Sequence, residues 1–195
     1  MQPLEHLIKV ASGVETASLV FKHACVLDVF DCRILENVDV AICGNKIAGI
    51  SSEGYRGEKE INLDGKLLVP GLLDGHIHVE STMLTVGEFA RCVVPHGTTT
   101  IIIDPHEIAN VLGLDGIRYM LESSKYQPLT VHVCLPSCVP ATDLETAGSR
   151  LSAFDLWSFF HNKWVVGLAE MINYPGVIHA DNGVLEKIEL AQSIG

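Results

Sequence analysis

Residues 69–78 run Val69-Pro70-Gly71-Leu72-Leu73-Asp74-Gly75-His76-Ile77-His78, and they decide how the chain divides. Pro70-Gly71 breaks what precedes it, and Leu72–Val79 predicts a strand ending in histidines. In a strand, residues i and i+2 point to the same side, so His76 and His78 can face one metal ion. Asp74-Gly75 before them and Glu80-Ser81 after them make that strand end polar. Two histidines do not complete such a site, because a catalytic ion usually takes three or more protein ligands and keeps one position open.

Downstream the pattern repeats. Thr85 with Glu88 three residues on is a capping-box pattern, opening a helix through Phe89, Ala90, Val93 and Val94 that stops at Gly97. Thr98–Ile103 is a β-branched run, as expected for a strand covered on both faces. Asp104-Pro105 then predicts a helix start, with Asp104 as N-cap, Pro105 at N1 and Glu107 at N3. A helix from about Asp115 to Ser123, a strand at Thr130–Leu135, a mostly helical Asp143–Phe160, a strand at Trp164–Ala169 and a helix over Gly183–Ala191 complete the series. Four β-α units in sequence predict an α/β fold with a parallel sheet and right-handed crossovers.

Upstream the period is different. Residues 1–16 have apolar positions at helical spacing, and from Ala17 the period becomes two. Strands are predicted around 19–29, at Asn37–Cys43, at Lys46–Ser51 after a Gly44-Asn45 hairpin turn, and at Glu60–Leu63 before Asp64-Gly65. The expected organisation is a small antiparallel β domain over 1–68, then four β/α units over 69–195. No internal repeat or low-complexity segment interrupts it.

Composition bounds the function. Thirteen Lys and Arg against twenty-four Asp and Glu give a formal net charge of -11, which argues against nucleic-acid binding. Mean hydropathy is +0.30, yet no stretch approaches the roughly 20 apolar residues of a membrane span. Glu5, Lys9 and Glu15 speak against a signal peptide, so a cytoplasmic location is expected. The six cysteines form no Cys-x-x-Cys pair and predict buried, reduced thiols; the spacing of Cys134 and Cys138 suits zinc poorly.

Polar residues gather at the C-terminal ends of the predicted parallel strands, the edge that carries the active site in such folds. They are His76 and His78, then Asp104 and His106, then Ser137 and Cys138, then Glu170. Glu170 ends an apolar strand, where a carboxylate is costly unless coordinated, paired or solvated, so it is a third ligand candidate. Asp104 and Glu107 are explained equally well as helix caps or as site residues. His106 has no capping role and points to a substrate or ligand-supporting contact. His78-Val79-Glu80 matches the H-x-E of zinc nucleobase deaminases, but the P-C-x-x-C that completes that site is missing.

Residues 69–78 resemble the first-strand motif of the amidohydrolase superfamily, metal-dependent β/α barrels preceded by a small β domain. HIHVESTML (76–84), PHGTTTIIIDPHEIAN (95–110), LPSCVPAT (135–142) and GLAEMINYPGV (167–177) narrow the resemblance to its adenine deaminases. Where many superfamily members carry a carboxylated lysine after strand four, Glu170 stands here, as in that narrower group. The resemblance implies hydrolysis of adenine to hypoxanthine and ammonia by a metal-activated hydroxide, on a binuclear manganese or iron centre, with zinc the alternative. It implies His76, His78 and Glu170 as metal ligands and Glu170, Asp104 and His106 as catalytic residues. Glu80, Ser81 and Glu107 are the implied substrate contacts. A homo-oligomer is implied for the complete protein, with neither nucleic acid nor membrane as partner.

A (β/α)8 barrel needs about 250 residues and eight strands, and only four strands are predicted. The expectation is therefore the first half of a barrel, inactive or nearly so alone. His132, His161 and His179 are poorly placed to replace ligands from later strands. Other expectations are an amidohydrolase for another cyclic amide or amino-heterocycle, and a non-catalytic half barrel that associates with a complementary chain.

Overall fold

In the computed structural model, residues 4–142 and 144–194 are described, and they fall into two units, Met1–Pro70 and Gly71–Gly195. In the first unit, helix α1 (Leu4–Ala11) precedes strands β1 (Leu19–Asp28), β2 (Arg33–Cys43), β3 (Lys46–Ser51), β4 (Glu60–Asn62) and β5 (Leu67–Leu68). The predicted hairpins form: β1–β2 and β2–β3 are antiparallel. The sheet is nevertheless mixed rather than antiparallel throughout, because β4 and β5 both pair in parallel with β1. Residues 52–59 carry the chain from β3 to the far side of β1, and a crossing of that kind preserves strand direction where a hairpin would reverse it.

Two small apolar clusters hold this unit, one around Val10, Val20 and Ala41, the other around Ala24, Val26, Val38 and Val40. The same unit holds a buried charge. Asp39 pairs with Lys22 and accepts hydrogen bonds from the main-chain N–H groups of His23 (3.1 Å) and Tyr55 (3.0 Å). Burial pushes the Asp39 carboxyl up, but the Lys22 bond and the two backbone donors outweigh it and hold the group below its ordinary value. The β1–β2 register shifts between Phe21 and Ala24, where His23 takes a positive φ of 53°.

The second unit contains β6 (Leu72–Ile77), α2 (Val86–Val93), β7 (Thr98–Ile103), α3 (His106–Leu112), α4 (Leu114–Ser123), β8 (Thr130–Leu135), α5 (Ala153–Trp157), β9 (Val165–Leu168), α6 (Tyr174–Ile178) and α7 (Asn182–Ile194). The four strands form a parallel sheet in the order β6-β7-β8-β9, as the β-α alternation predicts. Thr85 caps α2, its side chain accepting from the Glu88 N–H at 3.4 Å. Gly97 closes the following 3-10 turn at a φ of 100°, a left-handed conformation that glycine adopts without strain.

Ile101, Ile103, Val131, Val133 and Leu135 pack with Phe89 of α2, Ile117, Met120 and Leu121 of α4 and Leu156 of α5. This core lies on one face only. Thr98, Thr100 and Ile102, on the opposite face from Ile101 and Ile103, are only half-buried, so β7 is not fully covered on both faces as its β-branched run predicts.

The long helix expected over Asp143–Phe160 also fails. Asp143 lies outside the described residues, and 144–152 is a run of turns because its backbone donors are engaged elsewhere. Gly148 N–H bonds to the Asn110 carbonyl at 2.9 Å and Leu151 N–H to that of Val139 at 2.9 Å. Helix α5 starts only where Ser152 and Asp155 form a reciprocal capping box. All six cysteines are free, but only Cys43 and Cys138 are buried; Cys32 and Cys92 are exposed. Among the described residues no helix is long and apolar enough to cross a membrane.

Candidate metal centre

The strand ladder sets the site. The Asp104 N–H donates to the Ile77 carbonyl at 3.1 Å, extending the β6–β7 pairing one step and bringing Asp104 beside His78. On the other side, Ala169 N–H reaches the Leu135 carbonyl at 2.8 Å and delivers Glu170 to the same sheet edge. His76 is further fixed by its N–H, which donates to Asp74 Oδ1 at 3.1 Å.

The two imidazoles meet edge to face, their Nε2 atoms 3.1 Å apart. Glu170 Oε1 lies 3.3 Å from His78 Nε2 and 3.6 Å from His76 Nε2. Ligand atoms of His76, His78, Asp104 and Glu170 all fall within 4.8 Å of one another. Flat strands at the usual spacing would put β6 and β9 roughly 14 Å apart, so these side chains converge from the two outermost strands of a curved sheet.

The arrangement fits a divalent cation on three grounds. His78 Nδ1 lies 2.8 Å from the Asp104 main-chain carbonyl, which can only accept, so the proton sits on Nδ1 and the Nε2 lone pair faces His76 and Glu170. Asp104 is 1% exposed, and its Oδ1 is buried with no hydrogen-bond partner among the described residues. The donor set, imidazole nitrogen with carboxylate oxygen, suits borderline divalent metals.

A second group adjoins the first. His106 Nδ1 is 3.2 Å from Asp104 Oδ2, and Glu107 Oε2 lies 3.3 Å from His78 Nδ1 and 3.7 Å from His106 Nδ1. Ser81, in the 3-10 turn Glu80–Thr82, donates to Glu107 Oε1 at 2.6 Å, and Glu80 Oε1 accepts from the Ile108 N–H at 3.3 Å. Glu80 Oε2 and Glu107 Oε2 are buried without hydrogen-bond partners among the described residues.

The electrostatics follow from burial against charge. Burial resists a charge on His78, but the Asp104 carbonyl and the carboxylates of Glu107, Asp104 and Glu170 prevail, and its pKa is raised. Burial also pushes the Asp104 and Glu80 carboxyls up, for Asp104 against the pull of His106. Glu107 moves the other way: burial is outweighed by the Ser81 hydrogen bond, its own backbone and the two imidazoles.

His76, His78, Asp104, His106, Glu107 and Glu170 are thus brought together at one end of the sheet. The capping reading of Asp104 and Glu107 does not hold. Pro105 occupies the N-cap of α3 with no side-chain bond, while Asp104 turns to His106 and Glu107 to Ser81. His132, His161 and His179 join neither group among the described residues. The sequence reading passes over Lys187, buried in α7 with Nζ 2.9 Å from the Ser137 carbonyl. Its signal is the spacing Val184, Lys187, Ala191, which puts a lysine on the apolar stripe of a helix.

The amidohydrolase family model matches residues 67–195. The chain is 49% identical over 193 residues to an adenine deaminase of Clostridium acetobutylicum, covering 99% of this chain and 33% of that protein. It is 47% identical over 191 residues to an adenine deaminase of Archaeoglobus fulgidus, covering 98% and 34%. The chain therefore spans about a third of the length of the curated relatives it matches. Among solved structures, an N-acyl-D-glutamate deacylase from Bordetella bronchiseptica superposes with a TM-score of 0.63 at 14% identity, over 92% of this chain and 44% of that one. A beta-aspartyl dipeptidase from Fervidobacterium islandicum gives 0.54 at 16%, over 91% and 49%. At such identities these two structures speak to the fold alone.

Proposed function

The chain belongs to the amidohydrolase family, and from that premise we propose that it is part of an adenine deaminase, contributing one half of a binuclear metal site. The identity to adenine deaminases along nearly the whole chain supports the substrate. The observation that carries the chemistry is the convergence of two imidazole Nε2 atoms and Glu170 Oε1 within 3.6 Å, with the His78 tautomer fixed for ligation.

In this reading His76, His78 and Glu170 would hold a manganese or iron pair, with zinc the alternative. Such a pair supplies Lewis acidity for the attack of water on C6 of adenine. Asp104 and His106 serve proton transfer toward the departing amino group: a carboxyl that burial inclines to keep its proton lies 3.2 Å from an imidazole nitrogen. Glu80, Ser81 and Glu107 hold the purine, two of them offering buried carboxylate oxygens that a ring N–H or exocyclic amine can satisfy. A cytoplasmic location and a homo-oligomeric complete protein belong to the same reading, and the net charge of -11 disfavours nucleic acid.

The test pairs an assay with a binding measurement. With adenine and Mn2+, the 195-residue chain should release little or no ammonia, yet bind Mn2+ by paramagnetic resonance, and H76A/H78A should abolish that binding. Robust turnover by this chain would overturn the half-site reading; absence of Mn2+ binding would overturn the metal assignment.

A further inference from the structure

Glu170 follows a strand of only four residues and is half exposed, so something outside the strand must hold it. Ser137, just past β8 and 2% exposed, donates its Oγ to the Glu170 main-chain carbonyl. The Ser137 carbonyl accepts from Lys187 Nζ at 2.9 Å. Alongside, Asn173 N–H donates to Cys138 Sγ at 3.3 Å, tying the far side of the same loop.

Lys187 is 8% exposed, and among the described residues this carbonyl is its one hydrogen-bond partner. Asp181 and Asp155 act on the ammonium only from beyond ion-pair distance, and a buried ammonium without a direct carboxylate partner is costly. Burial accordingly pushes the lysine below its ordinary pKa.

We infer that Lys187 and Ser137 are positioning residues for Glu170: the ammonium orients the Ser137 peptide and the hydroxyl fixes the Glu170 main chain, aiming its carboxylate at His76 and His78. This rests on reading those three residues as the metal ligands. Supporting groups of this kind typically change metal affinity by about 10–100-fold when removed.

Amide hydrogen exchange of peptides spanning 169–173 and Mn2+ affinity, both measured on the 195-residue chain, test it. S137A and K187M should each speed exchange across 169–173 and weaken Mn2+ binding by about tenfold. S137T and K187R, which keep the donors, should restore both. The urea midpoint of K187M should not fall, because methionine keeps the stem and removes a buried charge; a purely structural lysine would show the reverse. If S137A fails to fold, K187M and K187R carry the test. Unchanged exchange across 169–173 overturns the inference, as does unchanged Mn2+ affinity despite faster exchange. If the chain binds Mn2+ no better than E170Q while S137A and K187M still speed exchange, the metal reading fails and the anchoring of Glu170 stands.

Discussion

Asp104 carries more of the site's logic than its place in the sequence suggests. One carboxylate oxygen meets His106, the other meets nothing among the described residues, and its main-chain carbonyl fixes the His78 tautomer. D104N keeps the carbonyl and the shape but replaces the carboxyl with a group that cannot ionise toward a cation, so Mn2+ affinity should fall roughly 10–100-fold while the thermal midpoint holds or rises. Titration by paramagnetic resonance alongside calorimetry checks both. The sequence places Asp104 at the right strand end but leaves its role open, because a residue before Pro-x-Glu satisfies helix-capping rules equally well; the structure puts Pro105 at the N-cap and Asp104 beside His106. Asp39 lies further beyond sequence reading, being one acidic residue in an alternating strand whose partners Lys22 and Tyr55 stand 17 and 16 residues away. Its folded pKa is depressed, so its stabilisation is present above the ordinary carboxyl value of about 3.9 and is lost as pH falls through the lower folded value. D39A should cost about 3 kcal/mol at neutral pH and flatten the acid limb of a plot of urea midpoint against pH. An unchanged acid limb would remove Asp39 from the account.

Elements in this chain are fixed by who holds their backbone donors. The β-α alternation from Leu72 onward is legible because period, caps and apolar runs agree, and all four parallel strands form where they are expected. The segment before α5 is not legible, since the Asn110 and Val139 carbonyls that claim its N–H groups are remote in sequence. The parallel pairing of β4 and β5 is hidden likewise, because strand signals carry no direction. Helix contacts add a close approach: a Cβ on Gly116 of α4 would lie 2.6 Å from the Ile108 carbonyl oxygen in α3. G116A should therefore push α3 from α4 and cost about 1–3 kcal/mol, read from urea denaturation. Since α3 begins at His106, Mn2+ affinity should drop with it; a stability loss without that drop would separate the helix pair from the site.

At the scale of the molecule, the second unit is a sheet whose outer strands, β6 and β9, are each paired on one side only among the described residues. Leu72 and Leu73 of β6 are 58% and 60% exposed, and Val166 of β9 is 47% exposed. Apolar edges of that kind recruit other chains, so light scattering behind size exclusion should show mass rising with protein concentration. A constant monomer mass across a hundredfold range of concentration would contradict this. The candidate ligands sit at the ends of the same outermost strands, His76 and His78 at one and Glu170 at the other, drawn within 3.6 Å of each other. An ion seated there is a bowstring across an arc. It would tie the first strand of the sheet to the last, so loading the site and holding the curvature would become one equilibrium, and metal at a hundred times its dissociation constant would add about 2.7 kcal/mol to the folded state. Metal supply would then enter the stability of this chain, read as a rise of its urea midpoint with added Mn2+.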